Sequence, residues 1–384
     1  MPPADGDPPV LIIGGGAAGL STAAALAKRG IRATVLERDD QIGGSWARRY
    51  QSLKLHTIRR YSGLAHYPIP ADRPRYLSKD EYAAYLREYA HALGLEVVLG
   101  EQVKAVQHNS DSPEGFSWEV VTCRGTRRAR AVIVATGQCS EPYLPDWEGV
   151  GTFSGTLLHS SDYVSGAAYR GLKTLVVGLG NSGAEIAADL AVHGAASVSV
   201  SVRTTPPIVT REMFKLVPVQ LMGIALTPLG LPRLFDRIGA ALRRRAIGDL
   251  TAFGLGPAAW GPFTARKAAV IDAGFLKQLK QGHLAIRPTI ARFDTTGVVY
   301  TDGTREDIDV VIAATGFRNG LENLLTLPGV LDEAGQPRPQ MQNPATAPGL
   351  YFIGFGETVR GQLFEINRAS KQLAAEVEAF LKRS

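Results

Sequence analysis

Twice in this chain a short apolar run leads into the same three-glycine spacing. Residues 10–13 (Val-Leu-Ile-Ile) run into Gly14-x-Gly16-x-x-Gly19, and residues 174–177 (Thr-Leu-Val-Val) into Gly178-x-Gly180-x-x-Gly183. Each is followed at a distance by an apolar run ending in Ala-Thr-Gly, first at 132–137 and then at 310–316. One triplet is a weak signal, but the same grammar used twice marks a repeated supersecondary unit. At a strand-to-helix turn, glycine lets the backbone bend tightly and approach a pyrophosphate, toward which the helix aims its free N–H groups. The expected fold class is therefore α/β, with two Rossmann-like dinucleotide-binding domains, the second inserted into the first.

With 384 residues the chain has room for two such domains. We expect the first part of one domain at 1–150 and an inserted domain at 151–305. The latter carries an apolar, Pro-containing insertion at 214–255, and 306–384 returns to the first domain, closing in an amphipathic helix over 363–381. The first unit begins with strands at 10–13 and 31–36, separated by a helix that Gly30 stops. Ser78 with Glu81 forms a capping box that starts a helix through Tyr82, Tyr85, Leu86 and Tyr89. Residues 1–9, rich in Pro and Asp, read as a short disordered lead-in without the layout of a signal peptide.

The two units differ where each meets a ribose. Glu37 ends the second strand eighteen residues after Gly19, where a carboxylate accepts both hydroxyls of an adenosine ribose. In the second unit Arg203 follows Gly183 by twenty residues, with no acid between Ser197 and Pro207. A 2′-phosphate is repelled by a carboxylate and attracted by a guanidinium, so this loop is expected to take NADPH and the first FAD.

The two cysteines, Cys123 and Cys139, offer neither a CxxC pair nor a disulfide framework, which favours a reduced cytoplasm and removes a dithiol as electron acceptor. Oxygen becomes the expected acceptor. The excess of 42 basic over 36 acidic residues is mild and lacks dense runs apart from Arg243 to Arg245, so nucleic acid is not expected as a partner. The apolar stretches at 10–27 and 216–234 are broken by glycines, prolines and Arg233, so no membrane span is expected. Membrane contact is not expected either, although the segment 214–255 can be read as walling a substrate pocket, resting on a membrane surface or simply packing. A homodimer stays open.

Between the glycine loops lies Phe153-Ser-Gly155-Thr-Leu-Leu-His159-Ser-Ser-Asp-Tyr163. It resembles the FxGxxxHxxx(Y/F) signature of flavin-containing monooxygenases. The likeness extends to Gly43-Gly44-Ser45-Trp46, Leu53-Lys-Leu-His56-Thr57, Gly178-Leu-Gly180-Asn181-Ser182-Gly183, Arg211-Glu212-Met213 and Ala314-Thr315-Gly316-Phe317, and is closest to YUCCA-type and related bacterial members. It covers most of the chain and is weakest between Phe214 and Pro257.

The resemblance implies that NADPH reduces FAD and that the reduced flavin captures O2 as a C4a-hydroperoxide. One oxygen then passes to a small organic substrate, with the protein excluding water. It implies catalytic positions at His56, Asn181 and His159, and no metal. Flavin contacts are implied at Gly14, Gly16, Ala17, Ala18, Gly19, Glu37, Arg38, Gly44, Ser45, Trp46, His56, Thr57, Tyr76, Val103, Ala135, Thr136, Gly137, Gln362 and Leu363. For the nicotinamide cofactor it implies Gly178, Gly180, Asn181, Ser182, Gly183, Arg203, Ala314, Thr315, Gly316 and Phe317. Many animal members place Asn where His56 stands, so whether His56 meets flavin or substrate is left open. Baeyer–Villiger oxygenation and oxidative decarboxylation of an aryl 2-oxo acid are both compatible outcomes, although Val164 after Tyr163 counts against the former. An NADPH oxidase or diaphorase and a flavin-bearing redox sensor are the rival classes.

Overall fold

The computed structural model describes residues 9–109, 117–213, 217–338 and 347–383. Apart from Pro9, the segment read as a disordered lead-in lies outside these residues.

Two five-stranded parallel sheets share one plan. In space the first runs Leu350–Phe352, Ala131–Val134, Val10–Ile13, Ala33–Leu36, Glu96–Val98. The second runs Thr156–His159, Val310–Ala313, Lys173–Val177, Ser197–Ser201, Ala285–Arg287. Strands buried on both faces read as unbroken apolar runs, which is why Val10–Ile13, Ala131–Val134 and Val310–Ala313 were legible as strands. Each unit also carries a three-stranded antiparallel sheet, Val103–His108 with Trp118–Thr122 and Gly125–Ala129 in one, and Ile290–Phe293 with Gly297–Tyr300 and Arg305–Asp307 in the other.

The glycine turns superpose in function atom for atom. Gly14 N donates to Leu36 O at 2.8 Å and Gly178 N to Ser201 O at 2.9 Å. A Cβ on Gly19 would sit 1.9 Å from Gly14 O, and one on Gly183 would sit 2.0 Å from Gly178 O. No side chain fits there, because the helix must touch the turn that launches it. The helices that follow, Ala17–Ala27 and Asn181–Val192, both start on a glycine N-cap without a side-chain cap.

The structure moves one expected boundary. The apolar run before Gly316 does not return the chain to the first domain at 306. Val310–Ala313 pairs in parallel with Lys173–Val177, so the second unit extends past 305. Within the expected start at 151, Thr156–His159 forms the outer strand beside Val310–Ala313, ahead of the glycine loop. Pairing across the sheet, not position along the chain, sets these limits. The capping box is present, with Ser78 Oγ accepting from Glu81 N at 3.3 Å and Glu81 Oε2 accepting from Ser78 N at 2.8 Å, and it opens the helix Lys79–Ala92. The closing helix spans Gln362–Leu381 and lies along Ala17–Ala27, pinned by Ser21 and Ser370 hydroxyls 2.8 Å apart in the core.

The insertion contributes the helices Val219–Leu226 and Pro232–Ile247. The first docks against two separate segments of the first unit through Gln220, whose Oε1 accepts from Ile58 N at 2.9 Å while its Nε2 donates to Arg360 O at 3.0 Å. Gly223 permits the approach, since a Cβ there would meet Val359 O at 2.1 Å.

Candidate functional site

At the carboxyl ends of the first sheet lies a crevice of about 410 Å³ lined by Gly14, Gly16, Glu37, Arg38, Ser45, Val103, Ala135 and Thr136, among others. Glu37 is held by the backbone itself: Gly15 N donates to Oε2 at 2.6 Å and Asp39 N to Oε1 at 2.9 Å. Fixed by two main-chain donors, the carboxylate keeps lone pairs free for a pair of vicinal hydroxyls. Thr136 Oγ1 is buried without a hydrogen-bond partner, an unusual state that a ligand in the crevice would relieve. Ala17, Ala18 and Gly19 form the buried, uncapped first turn of the helix, whose free N–H groups suit a pyrophosphate. Gly137 adopts φ 77° and Gly44 opens a short helix against Asp39, both at the rim. These residues fit FAD.

The second crevice has the same loop but another rim. Where Glu37 N donates to Val98 O, Val202 N donates to Arg287 O at 2.9 Å, so Val202 takes the place of Glu37 and Arg203 that of Arg38. Arg203 is exposed and has no hydrogen bond or ion pair among the described residues. A free guanidinium beside an uncapped helix start fits a phosphorylated ribose. Asn181 does not present its carbonyl to that crevice: its Oδ1 accepts from Ile271 N at 2.8 Å.

Between the units opens a larger cavity of about 720 Å³, to which Trp46, His56, Thr57, Gly180, Asn181, Gln362 and Leu363 all contribute. The structure thus brings sequence-nominated residues of both units to one cavity. Other lining residues were not nominated one by one: Phe235, Arg243, Trp260, Phe263 and Lys267 come from the insertion and the segment after it. Burial pushes Arg243 below the usual arginine range, opposed by the nearby Asp236 carboxylate. Asp236 itself is spent on capping, accepting from Phe263 N, Thr264 N and Thr264 Oγ1 at 2.9, 2.9 and 2.7 Å.

Other nominated residues stand away from both cavities. His159 is 2% exposed; its Nδ1 accepts from Ser161 N at 3.1 Å and its Nε2 lies 2.9 Å from Gly316 O. Burial holds it below the usual histidine range, so the neutral ring donates from Nε2 and clamps the Ala314-Thr315-Gly316-Phe317 turn. Thr315 Oγ1 in that turn donates to Tyr143 O, and Arg49 lies 5.3 Å above the Phe317 ring. Tyr76 donates to Glu212 Oε1 at 3.1 Å under Arg211, a contact between the units that lies outside both crevices, and burial pushes its hydroxyl up to about 12. The family-like Tyr163 donates to Asp189 Oδ2 at 2.6 Å, which ties the linker to the second unit's helix.

Sequence reading missed Tyr50, Glu185 and Gln220. Only the last left a trace, as a lone amide within the apolar run 217–226.

The model of a family described as flavin-binding monooxygenase-like matches residues 8–324. The indole-3-pyruvate monooxygenase YUCCA1 of Oryza sativa subsp. japonica is 37% identical over 366 residues, covering 93% of this chain and 88% of that protein. The flavin-containing monooxygenase of Stenotrophomonas maltophilia superposes with a TM-score of 0.75 at 26% identity, over 97% of this chain and 98% of its own. An oxidised steroid monooxygenase bound to NADP shares the fold at 19% identity, with a TM-score of 0.74 over 98% of this chain and 86% of that one.

Proposed function

The chain belongs to the flavin-binding monooxygenase-like family and is an FAD- and NADPH-dependent monooxygenase, and from that premise we propose that its substrate is an aryl-substituted 2-oxo acid. One observation carries the substrate class: the cavity joining the two cofactor sites is walled by Trp46, Phe235, Trp260 and Phe263, and into it faces Arg243, a half-buried guanidinium without a hydrogen bond among the described residues. Aromatic walls suit a flat ring, and a desolvated guanidinium is unsatisfied until a carboxylate or its equivalent pairs with it. Lys267 adds a second cation to the same lining. The similarity to indole-3-pyruvate monooxygenases supports the same class.

When bound, the cofactors supply two electrons and activate O2. The chain does the rest. In this reading Glu37 holds the flavin's adenosine ribose, Arg203 the 2′-phosphate of NADPH, and the two uncapped helix starts the pyrophosphates. Gln220 keeps the insertion closed over the cavity by bonding Ile58 and Arg360 at once, which excludes water from the reacting atoms. His56 and Thr57 line the same cavity as Arg243. The reaction balances as 2-oxo acid, O2, NADPH and a proton giving the acid one carbon shorter, CO2, NADP and water. Exposed free cysteines at 123 and 139 support a reducing, cytoplasmic setting, and among the described residues no helix is long and apolar enough to cross a membrane.

The test is to give the FAD-loaded enzyme NADPH, O2 and indole-3-pyruvate, and to measure CO2 release with the shortened acid. The expected result is one CO2 per NADPH. If a neutral ketone or sulfide speeds NADPH consumption while 2-oxo acids do not, the substrate assignment is wrong.

A further inference from the structure

One buried polar cluster belongs to neither cofactor crevice and crosses between the two units. Tyr50 and His56 come from the segment after the first crevice, and Glu185 from the helix Asn181–Val192. Glu185 is 5% exposed. Tyr50 donates to its Oε2 at 2.9 Å, and burial beside that carboxylate raises the phenol far above its ordinary range, so Tyr50 keeps its proton. The other oxygen, Oε1, lies 2.9 Å from His56 Nε2 but off the line of the ring N–H. Glu185 Oε1 is thus buried without an aligned partner, and His56 Nδ1, on the other side of the ring, is also buried without a hydrogen-bond partner.

Such a cluster is a poor way merely to fill space. A buried carboxylate loses several kcal/mol of hydration and recovers it only through close pairing, whereas an apolar side chain of similar volume would pack without that loss. What the carboxylate does provide is direction. At 2.9 Å it favours the imidazole proton on Nε2, which leaves Nδ1 as the nitrogen able to accept. The ring that is oriented in this way lines the same cavity as Thr57 and as Asn181 of the second loop.

We propose that Glu185, braced by Tyr50, is a positioning residue that fixes the tautomer and pose of His56 at the wall of the reacting cavity. Glu185 stands one turn beyond Asn181 on the helix whose start forms the second glycine loop. Filling of the nicotinamide crevice and the pose of His56 are thereby set by one rigid element. An imidazole locked in this way closes its part of the cavity wall in one arrangement; an unlocked one admits water and lets reduced cofactor spend its electrons on peroxide. That leak is NADPH, a proton and O2 giving NADP and hydrogen peroxide, and it can be measured without any substrate.

The experiment is a double-mutant cycle on the FAD-loaded enzyme, reading substrate-free peroxide release with flavin reduction by NADPH as the control. His56→Asn and Glu185→Gln are each expected to raise the leak on the order of fivefold, and the double variant to leak no more than His56→Asn alone, since residues acting through one another are not additive. Tyr50→Phe leaves the charge in place and enters the same cycle should Glu185→Gln lose its flavin. In 15N-histidine-labelled protein, the His56 signal is expected to show one tautomer in the wild type and two in Glu185→Gln. Multiplicative effects in the cycle, a leak at the wild-type level, or an unchanged tautomer would each overturn the proposal.

Discussion

The two glycine loops are near copies, yet their rims carry opposite charge. Gly14 and Gly178 make the same turn, and Gly19 and Gly183 the same backbone contact. One residue past the second strand, the first unit has a carboxylate clasped by Gly15 and Asp39 amides, and the second has Val202 followed by an unpaired Arg203. In the proposed reading the sheets set where a nucleotide lies, and the rim position sets which nucleotide it is. The outer strands differ too: where register places Phe352 beside Val134 in the first sheet, it places His159 beside Ala313 in the second.

The largest effect is expected from the shared feature. Gly19→Ala and Gly183→Ala each force a Cβ into a carbonyl, a clash worth roughly 3–4 kcal/mol or more of local structure. Gly19→Ala should yield protein without flavin colour, and Gly183→Ala a yellow protein that NADPH no longer reduces. If Gly183→Ala is also colourless, the two units are not independent. Next comes Glu37→Ala, which removes charge-assisted bonds worth roughly 1.5–3 kcal/mol and should weaken FAD about 10- to 100-fold by titration of the apoprotein. Arg203→Ala should raise the KM for NADPH about tenfold or more while leaving NADH unchanged, since only the former carries the 2′-phosphate; equal losses would erase the contrast between the rims.

The smallest effect concerns acid. Because burial lowers the His159 titration below its ordinary value of 6.5, the unfolded chain binds the extra proton first. The stability owed to neutral His159 is therefore full above that value and lost as pH falls toward the folded-state titration. Hydrogen exchange should show the second sheet's outer strand loosening before the first's on acidification, and His159→Phe, which copies Phe352, should remove the difference.

Much of this architecture was legible because its signals are local. Val10–Ile13, the glycine spacing, the Ser78–Glu81 box and the closing helix each depend on neighbours within a few residues. The boundary near 306 was misplaced because the run ending in Ala-Thr-Gly looks alike whichever sheet it joins; only its pairing with Lys173–Val177 assigns it. The roles of Gln220 and Glu185 were invisible for the same reason. An amide or a carboxylate in an apolar stretch shows nothing of partners 162 or 135 residues away.

The amino-acid order alone determined the two nucleotide turns and the sign of charge at each rim, because backbone sterics and a side chain's charge are properties of a few adjacent residues. Only the tertiary structure decided that the insertion roofs a single cavity, that His159 clamps a turn away from it, and that His56 stands against a buried Glu185. Those outcomes come from segments far apart in the chain packing into one volume, where burial and pairing are settled together.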